Sequence, residues 1–250
     1  MFNLLKYEFK SNLKLITGML TALLVWNIFL LTKINIWQKG ATVAGSLALD
    51  LPQFIVIFIQ GIKLLKRDLY GNTGYLVFSL PKRGSEIIGS KLIFALLEFI
   101  LFGIVTLSLL LLQVLVLPDA NINIINFMFS HIQDAVYFVI WSIVLFTFIL
   151  ILCYFSLAIS SVAFISRKHG TAASYGIFIV LIWIIQWLLT QVVKVLPYSI
   201  PIKVNEFHNM NVSFYSFNMN LNIGFMILFI IIYGALFMGT SYLIDNKIDL

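Results

Sequence analysis

Six apolar runs, each about the length a helix needs to cross a hydrocarbon core, divide this chain and leave little else to build with. They fall at residues 13–32, 43–64, 87–117, 135–165, 171–196 and 221–243. Of the 250 residues 61% are hydrophobic and 10% charged, against roughly 45–50% and 25% in a soluble domain. Mean hydropathy is +1.03. That composition excludes a soluble globular fold, and no polar stretch is large enough for a second domain. The expectation is an all-α membrane protein of six transmembrane helices, with residues 1–250 forming a single transmembrane domain. The third and fourth runs exceed the bilayer, so they must tilt or project beyond it. Pro52 is expected to kink the second. The first run is too long for the apolar region of a cleavable signal peptide and lacks a small-x-small site.

Charge sets the expected orientation. With the N-terminus inside, Lys6, Lys10, Lys14, Lys63, Lys66, Arg67, Lys82, Arg83, Lys91, Arg167, Lys168 and Lys247 are cytoplasmic. Lys33, Lys39, Lys194 and Lys203 are outside. A twelve-to-four split predicts an N-in, C-in course. The net charge of +6 therefore reads as an orientation signal, and nucleic acid is not expected as a partner. In residues 2–14, Phe2, Leu5, Phe9 and Leu13 share one side of a helix, and Lys6, Lys10 and Lys14 another. This pattern predicts an amphipathic helix on the inner leaflet, in contact with membrane lipid. The alternative is that the lysines only enforce topology.

The longest polar interruption with a positive balance is 67–91, RDLYGNTGYLVFSLPKRGSEIIGSK. It predicts a cytoplasmic hairpin over residues 66–85, with a short amphipathic piece closed by Pro81. Ser85 is the expected N-cap of the next helix, with Glu86 in its first turn. Of the outer loops, 118–134 holds no Lys or Arg. The last, 197–220, is apolar enough to predict a short re-entrant or interfacial helix.

Signals for chemistry are scarce. His131, His169 and His208 fall in loops without metal-ligand spacing. HExxH, GxSxG and GxxxxGK[ST] do not occur, so no catalytic residue, metal or bound cofactor is expected. Two acidic residues fall at membrane depth, Asp50 and Glu98, where a charge is costly. Each either lines a translocation path or clamps helices together. For Glu98 the alternative is a place near the inner interface, paired with a cytoplasmic lysine or protonated. Gln186, Thr190, Gln191 and Lys194 give the fifth run a polar face, which lines an outer vestibule or joins helices. Ser156 with Ser160, Ala172 with Gly176, and Ala235 with Gly239 are spaced for close helix packing. The single Cys153 is expected simply to pack.

Three features together resemble the permease subunits of type-2 ABC exporters, the compact bacterial kind without a fused ATPase. They are the basic N-terminal LLKYEFK at 4–10, the hairpin RDLYGNTGYLVFSLPKRGSEIIGSK at 67–91, and six spans ending in YLIDNKIDL at 242–250. The resemblance covers the whole chain in plan and is specific over the first two stretches. It implies that residues 2–14, with Lys6, Phe9 and Lys10, are an interfacial elbow helix. It also implies that Tyr70, Gly71, Asn72, Thr73, Gly74, Tyr75, Leu76, Phe78 and Pro81 form a coupling helix for a cytoplasmic ATPase. ATP and Mg²⁺ would then belong to that dimeric ABC ATPase. A second permease, identical or paralogous, would complete the unit in a bacterial plasma membrane. Amphipathic or antimicrobial peptides are the expected cargo, as export or immunity. Efflux of hydrophobic drugs, lipids or ions by the same machinery is the alternative. A non-transporting membrane sensor or scaffold is the reading from another class.

Overall fold

The apolar runs become six long α-helices. In the computed structural model, the residues described are 2–33, 36–37, 39–71, 82–116, 132–163, 167–202 and 219–246. The helices are α1 (Phe2–Lys33), α2 (Lys39–Tyr70), α3 (Gly84–Val116), α4 (Ile132–Ala163), α5 (Arg167–Val195) and α6 (Ile223–Asn246). All six are long and apolar enough to cross a membrane, which gives the chain the character of a multi-pass membrane protein. Helices suit such a chain because each closes its backbone hydrogen bonds within itself.

The neighbours define the packing. α3 packs on α1, α2, α4 and α6, and α4 packs on α2, α3, α5 and α6. α1 lies against α2 and α3, while α5 lies against α4 and α6. Two rows follow, α1–α3–α6 and α2–α4–α5, with α3 and α4 at the centre. The core runs between the rows through Leu23, Ile57, Leu65, Phe94, Phe102, Leu150, Ile151 and Tyr154. Phe99 stacks on Phe146 at 4.4 Å and Phe148 lies 4.4 Å from Phe229, joining α3 to α4 and α4 to α6. Cys153 is buried and packs, as expected.

Successive helices run in opposite directions. The start of α1 meets the end of α2 and the start of α3. The end of α2 meets the end of α4 and the start of α5. The end of α6 meets the start of α3. The start of α1 and the end of α6 therefore lie at one end of the bundle, called here the clustered end.

Two expectations need correction. Residues 2–14 are not a separate interfacial helix; they are the first turns of α1, which continues unbroken to Lys33. Their buried side carries Glu8, with Phe9 edge-on to Phe94 at 4.8 Å, whereas Leu13 is exposed. The hairpin is shorter than 66–85, because α2 continues to Tyr70 and α3 begins at Gly84. Ser85 is thus inside α3 and not its N-cap. The Asp245 carboxylate of α6 accepts the Gly84 N–H at 2.5 Å instead, satisfying a donor that a helix start leaves open. The described ends of the 197–220 loop are strands, β1 (Ser199–Ile202) and β2 (Met219–Asn222); the short helix expected in that loop falls on residues 203–218, outside the described residues. The strands pair antiparallel, Ser199 opposite Asn222 and Ile202 opposite Met219. The ladder gives the backbone groups of these two short segments their partners. Pro52 lies inside α2, which continues past it.

Candidate functional site

At the clustered end, charged side chains occupy core positions. Lys91 on α3 is 2% exposed, Glu8 on α1 5% and Asp68 on α2 1%. Lys91 Nζ donates to Glu8 Oε1 at 2.7 Å and lies 2.5 Å from Asp68 Oδ2, an ion pair outside hydrogen-bonding geometry. Arg67 donates from Nη2 to Glu8 Oε2 at 3.0 Å and from Nη1 to Ser11 Oγ at 3.3 Å. Its Nε faces Asp68 Oδ1 at 3.5 Å. Two cations and two carboxylates from three helices thus form a closed, neutral knot. Neutrality allows the burial: each charge leaves water only because an opposite one meets it.

Around the knot, hydroxyls tie the next helices in. Tyr70 at the end of α2 meets Ser160 Oγ at 2.5 Å and donates to the Leu157 carbonyl of α4 at 3.3 Å. Tyr154 of α4 donates to the Gly61 carbonyl of α2 at 2.8 Å. Gly170, opening α5, has no room for a side chain beside the Tyr70 ring. Ser156 and Ser160 are buried, as their spacing predicted, whereas Ala172 and Gly176 face open space.

A second group of polar side chains follows deeper in. Glu98 lies two turns beyond Lys91 along α3, about 10 Å, on the same face. Gln60 lies at a matching depth on α2, about 12 Å from Asp68. Gln53 and Asp50 continue that face of α2, and Asn27 with Gln113 closes the far end through a 2.8 Å hydrogen bond. Glu98 is 2% exposed, Asp50 5%, Gln53 7% and Gln60 5%. Both carboxylate oxygens of Glu98, both amide atoms of Gln53 and Gln60, and Oδ1 of Asp50 have no hydrogen-bond partner among the described residues. Among the described residues Glu98 has no lysine partner, and Lys91, two turns away, is held by Glu8 and Asp68.

The other expected site residues lie apart. Gln186 and Thr190 are exposed on α5, and the Thr190 hydroxyl donates back to the Gln186 and Trp187 carbonyls. Lys6 and Lys10 are exposed near the start of α1. Tyr70 and Gly71 end α2, whereas Asn72, Thr73, Gly74, Tyr75, Leu76, Phe78 and Pro81 lie outside the described residues. Sequence reasoning missed Glu8 and Asp68, and treated Arg67 and Lys91 as free basic residues. A signal existed: Lys91 shares its helical phase with Ile88, Ala95, Glu98 and Phe102, all buried.

The fold and the knot define a class: a multi-pass helical bundle whose first three helices are pinned together at one end by buried ion pairs. Among the described residues no group of side chains could hold a metal ion. Comparison with protein-family models, with curated proteins and with solved structures finds no match.

Proposed function

We propose that this chain is the membrane-spanning subunit of an ATP-driven exporter of the type-2 ABC kind, moving amphipathic or antimicrobial peptides out of a bacterial cell or giving immunity to them. One observation carries the reading. The connection between α2 and α3 leaves from residues locked to the bundle: Asp68 and Arg67 on one side, Gly84 and Lys91 on the other. A push on that connection would pass to α1, α2, α3 and α6 with little slack. An ATPase-coupling element requires such a mounting, and a loop that only fixed orientation would not. The excess of basic residues at the clustered end supports a cytoplasmic placement for it. ATP and Mg²⁺ belong to the partner ATPase, and a second permease completes the assembly. α5, the least buried helix, offers a face for that contact.

The test uses apolar truncation within the connection. Replacing Tyr75 and Phe78 by Ala keeps every positive charge, so insertion should be unchanged. Aromatic anchors of this kind commonly contribute about 2–4 kcal/mol each at an interface. Co-purification with the ATPase and peptide export should both fall. A double-alanine protein that keeps its ATPase and exports at the normal rate refutes the assignment.

A further inference from the structure

Buried hydroxyls in α4, α5 and α6 satisfy themselves locally: Ser156, Ser160, Ser174 and Thr240 each donate to a carbonyl one turn back. The buried side-chain atoms without a hydrogen bond, among the described residues, are all on α2 and α3. Asp68 Oδ2 is one, and it meets Lys91. Eight others remain: both oxygens of Glu98, both amide atoms of Gln53 and of Gln60, Oδ1 of Asp50 and Oε1 of Gln113. All are shut from solvent, so this region is closed in the structure.

These residues form a file. A Cβ on Gly61 of α2 would stand 3.4 Å from the Ala95 Cβ of α3, and Phe54 lies 5.2 Å from Phe99. Glu98, between Ala95 and Phe99, is therefore level with the stretch of α2 from 54 to 61. Gln53 and Gln60 bracket that stretch, and Asp50 extends the file by one turn. α1 runs alongside, joined to α3 at Glu8–Lys91 and at Asn27–Gln113. The file thus ends at the knot on one side and at an amide pair on the other.

We propose that α1, α2 and α3 part to admit water and small monovalent cations along this file, a hydrated path within one chain. The closed file costs free energy at every unpartnered atom, and water supplies each partner. Its acidic groups, Asp50 and Glu98, have no ion-pair partner among the described residues, so the wetted file attracts cations and repels anions. The ends are unequal. Four charged side chains close the knot, whereas one neutral hydrogen bond of 2.8 Å closes the far end. Neutral bonds are the weaker kind, so entry is from the far end. The path needs no ATPase and stands apart from the exporter reading.

Gln53→Cys puts a thiol on the file. The full chain in lipid nanodiscs, without ATPase, is treated with trimethylammonioethyl or sulfonatoethyl methanethiosulfonate, and labelled residues are identified by mass spectrometry. The native Cys153, buried in α4, is the dry control in the same molecule. Position 53 should react, the cationic reagent about tenfold faster, at the low end of what a charged cleft gives. Adding Asp50→Asn and Glu98→Gln should bring the two rates together. Adding Gln113→Ala instead should quicken both about fivefold, the worth of one neutral hydrogen bond. Gln60→Cys repeats the experiment at a second position, in case the first variant is damaged. Inertness at both positions, equal rates for the two reagents without the charge changes, or Cys153 reacting as fast as the file overturns the path. Rates unmoved by Gln113→Ala overturn entry from the far end.

Discussion

Lys91 has two carboxylates within ion-pair distance and is 2% exposed. Removing it leaves Glu8 and Asp68 facing one another with only Arg67 between them. Breaking a buried pair from one side costs about 3–5 kcal/mol, so Lys91→Met should lower the melting temperature sharply. Adding Asp68→Asn restores neutrality, with Glu8 still paired to Arg67. The double variant should therefore melt above the sum of the singles, with a coupling of roughly 0.5–3 kcal/mol. Additive losses in thermal melts would show that the knot is not a unit. Arg67 is the softer member: its side chain is 37% exposed, and solvent screens such pairs. Glu98 should behave oppositely. It loses no protein hydrogen bond on truncation, so Glu98→Leu should melt at or above the parent temperature. If it lines a path, transport should fall nonetheless. Normal transport by both Glu98→Leu and Glu98→Gln would remove it from the path.

At the scale of the helix, the contact between α3 and α6 is built on a glycine. A Cβ at Gly84 would come within 2.8 Å of the Ser241 carbonyl oxygen and 3.0 Å of Asp245 Oδ1. Gly84→Ala must push α3 off α6, and Asp245→Ala removes the cap. Loss of a capping side chain costs about 1 kcal/mol. Asp245→Asn keeps an acceptor and should retain most of the stability, which melting of the three variants would check. A larger loss for Asn than for Ala would contradict the capping role. The six helices themselves were legible, since runs of Leu, Ile, Phe and Val that long have few other uses. Their ends were not. Glu8, Arg67, Asp68 and Lys91 look like the polar edge of a span in a hydropathy reading. Glu8, Asp68 and Lys91 are in fact helical core, with Arg67 at its edge, because each charge is cancelled by one distant in sequence. Only their phase beside Ile88, Ala95 and Ile16 betrayed them. The β1–β2 ladder was illegible for a different reason: its partners are separated by residues 203–218, and its strands carry a proline and two asparagines, weak strand formers.

Across the whole molecule, the alternation of helix directions puts the start of α1 and the end of α6 on one side. The basic residues gather there too, so that side should be cytoplasmic. Single cysteines in a Cys153→Ser background, probed on intact cells with an impermeant thiol reagent, report this directly. Cysteines at Ile125 and Asn209 should label, and those at Gly74 and Lys168 should not. Labelling at Gly74 in sealed cells inverts the protein and removes the proposed coupling element from the ATPase's reach.

The knot also implies an order of events in time. Glu8 leaves the ribosome long before the side chains that neutralise it, 59 residues ahead of Arg67 and 83 ahead of Lys91. At about 5–20 residues per second that second interval is about 4–17 s. Until Arg67 and then Lys91 arrive, the Glu8 carboxylate of α1 is not fully neutralised at a position later buried, which favours keeping its first turns in water. Once Lys91 emerges, α1, α2 and α3 can close as a three-helix unit while the second half is still unmade. The last helix then arrives with Asp245, 161 residues after Gly84, and seals a helix start that has been waiting since the first half was built.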